Sequence, residues 1–366
     1  MIAERLKKID ASGIRKVFDL AAKMDNPINL SIGQPDFDVM DDIKNSACQA
    51  INDGFNKYTP TQGIPELRDA VTDNLKKQGR LSNRDDDMTM ITSGTSGGLL
   101  LSIMTLINEG DEVMFADPYF VMYKHFVNLI NGKPVFIDSY PDFKLTAERV
   151  EKYITDKTKM LIVNSPCNPT AAVYSEKDLK EIAELCNKRG IWIISDEIYS
   201  SFAYDNNFSS IFPFVENGLL LDGFSKSHAM TGWRVGYAVG NKEVIQEMCK
   251  LQQYTYVCAP SMAQKAAINA LDVDISDIVN AYRKKRDIVY ESLKDKFELV
   301  KPGGAFYAFV KAPGGNATSF VEKAIANNLL IIPGAVFSEQ DTHFRISFAA
   351  DNEVIKSGME ILNKIV

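Results

Sequence analysis

An α/β fold, built on a mostly parallel sheet with helices on both faces, is what this sequence predicts. Three observations carry the prediction. Between residues 88 and 240, short apolar runs alternate with helical stretches, the pattern of repeated strand–helix–strand units. The apolar runs lack strict polar/apolar alternation, as strands covered on both faces should. After about residue 275 the pattern changes to one long charged helix, two strand candidates and a closing helix, which reads as a smaller α+β unit.

In chain order the strand candidates are Met88–Thr92, Glu112–Ala116, Pro134–Asp138, Lys159–Val163, Ile191–Ser195 and Gly218–Asp222. Each is a short apolar run of strand length. Ser175–Arg189 reads as an amphipathic crossover helix. Ser175 is placed to accept from a free N–H of the first turn, and Gly190 to stop the helix in left-handed backbone. Beyond it a helix is predicted over Ile275–Phe297, strands over Ala305–Val310 and His343–Phe348, and a closing helix from Asn352. Open parallel sheets bind ligands beyond the carboxyl ends of their strands. The segments that follow these runs are therefore where chemistry is expected.

With 366 residues the chain is long enough for two domains and a large core. A hydrophobic content of 45% and a charged content of 24% are those of a globular protein. The net charge of −7 argues against a nucleic-acid or anionic-membrane partner, which needs a basic face. The longest strongly apolar stretch, Leu99–Ile107, is too short to span a bilayer. The N-terminus passes straight into mixed charge, without an apolar signal core. Five cysteines without CxxC spacing read as reduced thiols of a cytoplasmic protein. Three scattered histidines suggest no metal.

The chemistry-bearing segments come next. Asp222-Gly-Phe-Ser-Lys-Ser-His-Ala-Met-Thr-Gly-Trp-Arg234 sets Lys226 in a stretch with almost no other charge. A lysine amine attacks a carbonyl only when unprotonated, and apolar or cationic surroundings lower its pKa. Asn164-Ser-Pro-Cys-Asn-Pro-Thr170 and Ser195-Asp-Glu-Ile-Tyr199 each end a strand candidate. Asp196 is then a carboxylate at the mouth of a buried strand, which needs a partner. Ser93-Gly-Thr-Ser-Gly-Gly98 follows a strand and opens an apolar helix, a place where free N–H groups and the helix dipole favour an anion. It fits neither GxGxxG nor the P-loop pattern. Arg345 lies in the alternating strand His343-Phe-Arg-Ile-Ser-Phe348, where a guanidinium needs an anion.

In this order the motifs resemble the signature of fold-type I pyridoxal-phosphate (PLP) enzymes, specifically the class I/II aminotransferases that include the aspartate and aromatic enzymes. The resemblance runs from Leu30 to Phe348. It implies a seven-stranded, mostly parallel sheet in a large PLP-binding domain over 40–275. Residues 1–39 and 276–366 would form a smaller, discontinuous α+β domain. It implies pyridoxal 5′-phosphate as cofactor and a ping-pong exchange between an L-amino acid and a 2-oxo acid such as 2-oxoglutarate. It also implies a role in amino-acid metabolism and biosynthesis, and a homodimer with shared active sites.

Residue by residue, the resemblance makes Lys226 the covalent partner of the cofactor aldehyde and the carrier of the substrate proton. Asp196 would face the pyridinium nitrogen, and Tyr199 and Asn168 the ring's phenolic oxygen. Ser93, Gly94, the Thr95 amide and the Ser96 hydroxyl would cradle the phosphate with Ser225 and Arg234. Tyr58, in Lys57-Tyr-Thr-Pro-Thr-Gln-Gly63, would reach the neighbouring subunit's phosphate. Phe120, in Asp117-Pro-Tyr-Phe120, would stack on the ring. Arg345, with Asn168 and the backbone at Gly33 in Ser31-Ile-Gly-Gln-Pro-Asp-Phe37, would hold the substrate carboxylate. Simpler roles compete: an Asx-turn for Asn168 before Pro169, a helix cap for Asp196, core packing for Phe120.

Three positions depart from the family pattern. Gly223 replaces a usual serine, which removes one phosphate hydroxyl. Ala171 replaces the glycine of Asn-Pro-Thr-Gly, which alters the turn. Ser96 stands where the bacterial aspartate-specific branch has a lysine for the second carboxylate. No other cation is placed there by a motif, and Phe37, Tyr123, Phe306 and Tyr307 lie in segments able to line the entrance. The sequence thus favours a broad or neutral-to-aromatic donor range, with Arg15 and Lys16 the remaining candidates for a pocket cation. Two rival functions are a PLP-dependent β-eliminating lyase, served by the same contacts, and a non-catalytic PLP-binding regulator. The regulator is disfavoured because Lys226, Asp196 and Arg345 are all present and no DNA-binding module fits before Leu30.

Overall fold

The computed structural model describes residues 2–366 apart from 12, 14–16, 18–21, 23, 82–85 and 206–207. Arg15 and Lys16 lie outside the described residues. After the short strand β1 (Ile28–Asn29) come β2 (Asp87–Ser93), β3 (Glu112–Asp117), β4 (Lys133–Asp138), β5 (Thr158–Asn164), β6 (Trp192–Asp196), β7 (Gly218–Gly223) and β8 (Val235–Asn241). These last seven form one sheet of order β2-β8-β7-β6-β5-β3-β4. β8 runs antiparallel to β2 and β7, and every other neighbouring pair is parallel. All strands but β8 therefore end on one edge, and β8 begins there.

Among the described residues eight helices accompany the sheet: α1 (Asp41–Asn52), α2 (Pro65–Lys77), α3 (Gly94–Leu106), α4 (Met122–Leu129), α5 (Ala147–Glu151), α6 (Glu176–Arg189), α7 (Lys242–Tyr254) and α8 (Ser261–Ala270). Alternate strand residues feed two separate cores. Ile91, Leu161 and Val163 pack with α1, α2, α6 and α8, whereas Met90, Met160 and Ile162 pack with α3, α4 and α7. Both faces are covered by helices, which is why the strands read as continuous apolar runs. The expected caps of α6 are present. Ser175 Oγ accepts from Asp178 N at 3.1 Å, and Gly190 has φ 65°.

The remaining chain adds α9 (Ser276–Leu293), β9 (Tyr307–Lys311), α10 (Ala317–Ala326), β10 (Leu329–Leu330), β11 (Ile332–Pro333), β12 (His343–Ser347) and α11 (Asn352–Ile365). β11, β12 and β9 make an antiparallel sheet, and β1 pairs in parallel with β10. Their shared core holds Leu30, Tyr282, Phe306, Phe344 and Leu362.

Three expectations need correction. The sequence reading missed β8, because Gly236 and Gly240 dilute its apolar pattern. Those glycines are required by close packing: a Cβ at Gly236 would sit 2.6 Å from Thr95 N and 2.7 Å from Gly94 C. The strand expected from Ala305 starts at Tyr307, since Ala305 has φ 50° and cannot extend. The helix expected to reach Phe297 ends at Leu293. Among the described residues, no helix is long and apolar enough to cross a membrane, and no group of three His, Cys, Asp or Glu could hold a metal.

Candidate active site

The carboxyl edge of the sheet opens into a cavity of about 440 Å³ lined by segments far apart in sequence. Lys226, in the loop between β7 and β8, lines it. Its Nζ donates to Gly33 O at 2.8 Å and lies 5.9 Å from the Tyr199 ring. No ion pair joins it to a carboxylate among the described residues. Burial, then the charges of Arg345 and Arg234, bring its pKa down to about 8, against the pull of Asp196. At pH 7 roughly a tenth of the amine is then unprotonated, far more than for an ordinary lysine, and it is the unprotonated form that attacks.

Asp196 closes β6. Tyr123 Oη donates to its Oδ2 at 2.6 Å, while Oδ1 receives only a long 3.4 Å contact from Ile198 N. Burial is the main cause that raises its pKa to about 6. A carboxylate so placed gains from a cationic N–H donor aimed at Oδ1. Tyr123, on α4, lines the cavity as the sequence allowed and also donates to Asp196. Asn164, at the end of β5, was not singled out. Its Nδ2 donates to Asp196 O at 2.9 Å and its Oδ1 accepts from Asn168 N at 3.0 Å, tying the two strand ends together. Its place as the last residue of a buried strand was the available signal.

Asn168 does not use its side chain in an Asx-turn. Oδ1 accepts from Arg345 Nη1 at 3.0 Å, and Arg345 Nη2 donates to Ser31 O at 2.8 Å. The Arg345 guanidinium is 1% exposed and sits between the rings of Tyr307 and Phe337, at 4.4 and 4.5 Å. Its Nε has no hydrogen-bond partner and it forms no ion pair among the described residues. A buried, uncompensated cation with a free donor suits a carboxylate ligand. Gly33 must be glycine here, because a Cβ would lie 2.5 Å from Tyr307 Oη.

At the other end α3 begins at Gly94 without a side-chain cap, and the Thr95 hydroxyl beside it is buried without a partner. Arg234, at φ 56°, bends over this turn: Nη1 donates to Thr231 O at 3.0 Å and Nη2 reaches Ser93 O at 3.4 Å. A Cβ at Gly94 would collide with Arg234 Nη2 at 2.5 Å. Thr95, Ser96, Ser225 and Arg234 line the cavity; Ser93 and Gly94 shape the turn beneath Arg234 rather than its wall. An uncapped helix start, an unbonded hydroxyl and a guanidinium make a fitting cradle for a phosphate. Phe120 also lines the cavity.

The departures have structural causes. A side chain at Gly223 would meet Gly236 Cα at 2.8 Å and Val235 O at 3.0 Å, so the close β7–β8 pairing excludes it. Ala171 keeps the turn by adopting φ 58°, with its carbonyl accepting from Gly303 N and Gly304 N. Among the four aromatics named for the entrance, Tyr123 and Tyr307 line the cavity, whereas Phe306 is core and Phe37 packs on Tyr282. Tyr58 is 85% exposed and outside the cavity. The cations of the lining are Lys226, Arg234 and Arg345.

The whole chain, and not the cavity alone, is similar to known proteins. Residues 25–362 match the sequence profile of the family described as "Aminotransferase class I and II". A probable aspartate aminotransferase of Methanocaldococcus jannaschii is 40% identical over all of both chains. The aromatic-amino-acid aminotransferase 2 of Thermococcus litoralis is 36% identical over 100% of this chain and 98% of its own. The structure of Thermus thermophilus aspartate aminotransferase with maleate superposes with a TM-score of 0.94 at 31% identity, over all of both chains.

Proposed function

Since the chain belongs to the class I and II aminotransferases, with their fold-type I architecture, and is itself an aminotransferase, we propose that its cavity holds pyridoxal 5′-phosphate and that the residues above divide the work as follows. The observation that carries the reading is the Lys226 amine in the cavity, which donates to Gly33 O and whose pKa burial and two arginines bring down to about 8. When bound, the cofactor supplies an aldehyde for that amine and a ring that takes up the electron pair left when a substrate loses its α-proton.

Thr95, Ser96, Ser225 and Arg234 hold the phosphate over the start of α3, with Ser93 and Gly94 fixing the turn. Asp196 holds the proton on the ring nitrogen through Oδ1, and Tyr123 keeps that carboxylate oriented. Tyr199 and Asn168 face the phenolic oxygen, and Phe120 covers the ring. Arg345 takes the substrate carboxylate, beside Asn168 and the Gly33 backbone, and sets the α-carbon near Lys226. The Lys226 amine then moves the proton from that carbon. An L-amino acid leaves as its 2-oxo acid, and a second 2-oxo acid, 2-oxoglutarate by this reading, collects the amine.

Sodium borohydride reduction of holoenzyme followed by peptide mapping should place the pyridoxyl group on Lys226. Label on another lysine refutes the assignment.

The donor range is read as broad or neutral-to-aromatic. The relatives bear both aspartate and aromatic names, and each cation of the described lining already has a task. A second buried carboxylate without a cation is disfavoured. Comparing kcat/KM for aspartate with phenylalanine, tyrosine, alanine and methionine checks this; a large preference for aspartate over all four overturns it.

Tyr58 is read as a contribution to a second copy's phosphate site. Tyr58 is exposed, as are the apolar side chains of Ile51, Phe55, Tyr254, Tyr256 and Val257, and exposed apolar side chains of this kind suit a homodimer contact. The division into a PLP-binding domain (40–275) and a discontinuous small domain, a cytoplasmic location and a biosynthetic role complete the reading.

A further inference from the structure

Tyr307 has no role in that scheme, yet it touches three of its parts. It opens β9, is 1% exposed, and reaches the cavity from the small sheet. Its Oη lies 2.7 Å from Tyr199 Oη. Its ring carries the Arg345 guanidinium at 4.4 Å. The same hydroxyl occupies the space a Gly33 side chain would need, over the peptide whose carbonyl accepts from Lys226.

Two neutral phenols in contact share one hydrogen bond, so one of them keeps a free O–H. The charges decide which. A guanidinium against the Tyr307 ring draws electron density from its oxygen and makes Tyr307 the better donor. Arg345 lowers the proton affinity of both phenols, while burial keeps both neutral.

We infer that Tyr307 is a positioning residue of this site: its phenol donates to Tyr199, freeing the Tyr199 O–H for the cofactor's phenolic oxygen, and its ring holds Arg345 flat for the substrate carboxylate. The inference rests on the proposed transamination site. It separates into a hydroxyl part and a ring part, each with its own signature. The phenolic oxygen of the cofactor carries negative charge, which a strong Tyr199 donor stabilises. Without the Tyr307 hydroxyl, Tyr199 turns its hydrogen elsewhere or donates more weakly, and that oxygen holds a proton to higher pH. Without the ring, Arg345 loses a stacking face and the carboxylate its fixed partner.

The experiment uses holoenzyme and the variants Tyr307→Phe and Tyr307→Ala, with Tyr199→Phe as reference. The first readout is the pH titration of the visible absorbance of the lysine-bound cofactor. Tyr307→Phe should move its midpoint upward by about half a unit, in the same direction as Tyr199→Phe. The second readout is the split between kcat and KM. Tyr307→Phe, which keeps the ring, should leave KM for the amino acid within about twofold, while Tyr307→Ala should raise it about tenfold. A Tyr307→Phe titration that overlays the wild type while Tyr199→Phe is shifted overturns the hydroxyl part. A Tyr307→Ala enzyme with unchanged KM overturns the ring part. Wild-type protein that takes up no pyridoxal phosphate on Lys226 overturns the functional reading itself, before any variant is compared.

Discussion

Arg80 offers the sharpest test of how the fold holds its site. Its Nη2 lies 2.6 Å from both Glu197 Oε2 and Asp222 Oδ2, with the three side chains 7%, 1% and 6% exposed. Glu197 adjoins Asp196, and Asp222 lies four residues before Lys226, so this cluster joins the ends of β6 and β7. Ser195 donates to Glu197 at 2.6 Å, Ser210 also donates to it, and Ser200 donates to Asp222 at 3.1 Å. At an effective dielectric of about 20, each contact is worth roughly 6 kcal/mol before desolvation is subtracted. Removing the cation from such a buried cluster costs about 3–5 kcal/mol, because the acids remain without it.

The perturbation is Arg80→Met, close in volume. Burial holds the Glu197 carboxyl above its ordinary range, with Arg80 the first opposing influence. Removing Arg80 raises it further. A carboxyl with a raised folded pKa penalises the folded state above that pKa, and the penalty fades as pH falls through it towards the unfolded value. The variant's deficit should therefore be larger at pH 8 than at pH 5.5, falling by about 1.4 kcal/mol for each pH unit below the folded pKa. Urea unfolding followed by the fluorescence of Trp192 and Trp233 measures it, with Arg80→Met/Glu197→Gln completing a double-mutant cycle. A loss under about 1 kcal/mol at pH 8, or one that is the same at pH 5.5, refutes the reasoning.

Two further outcomes are expected. Asp196→Ala should slow the half-reaction with amino acid by about 10²–10⁴-fold while keeping some bound cofactor, as single-turnover absorbance would record; near wild-type rates refute its role at the ring nitrogen. Mixing Tyr58→Phe with Lys226→Ala subunits should give hybrid dimers with one intact site, and recovery of activity after confirmed subunit exchange checks it. No recovery counts against a shared site.

The site was legible in the sequence to an unequal degree. Lys226, Asp196, Asn168 and Arg234 stand in short motifs beside strand ends, and Arg345 within the alternating strand β12, where local order is enough to mark each. Tyr123 and Tyr307 were seen only as aromatics, and Asn164 and Arg80 not as site neighbours at all. Nothing within a few residues of Tyr307 announces Tyr199, which is 108 positions away. β8 was lost for a related reason. Its glycines look like strand breakers until the Gly94–Thr95 turn is packed against Gly236, and Leu219 and the Gly218 carbonyl against Gly240.

What the sequence determined alone was the alternation of buried strands and helices, the caps of α6, and the family motifs. These depend on spacing along the chain, and hydrophobic periodicity and turn chemistry record spacing directly. What only the tertiary structure decided was which groups meet. It set Arg345 against Tyr307 rather than an acid, turned Asn168 to Arg345 rather than to its own backbone, and bonded Tyr123 to Asp196. It also left Tyr58 on the surface. Such pairings are chosen by burial, since an enclosed polar group takes whichever partner the packing of distant segments brings within about 3 Å.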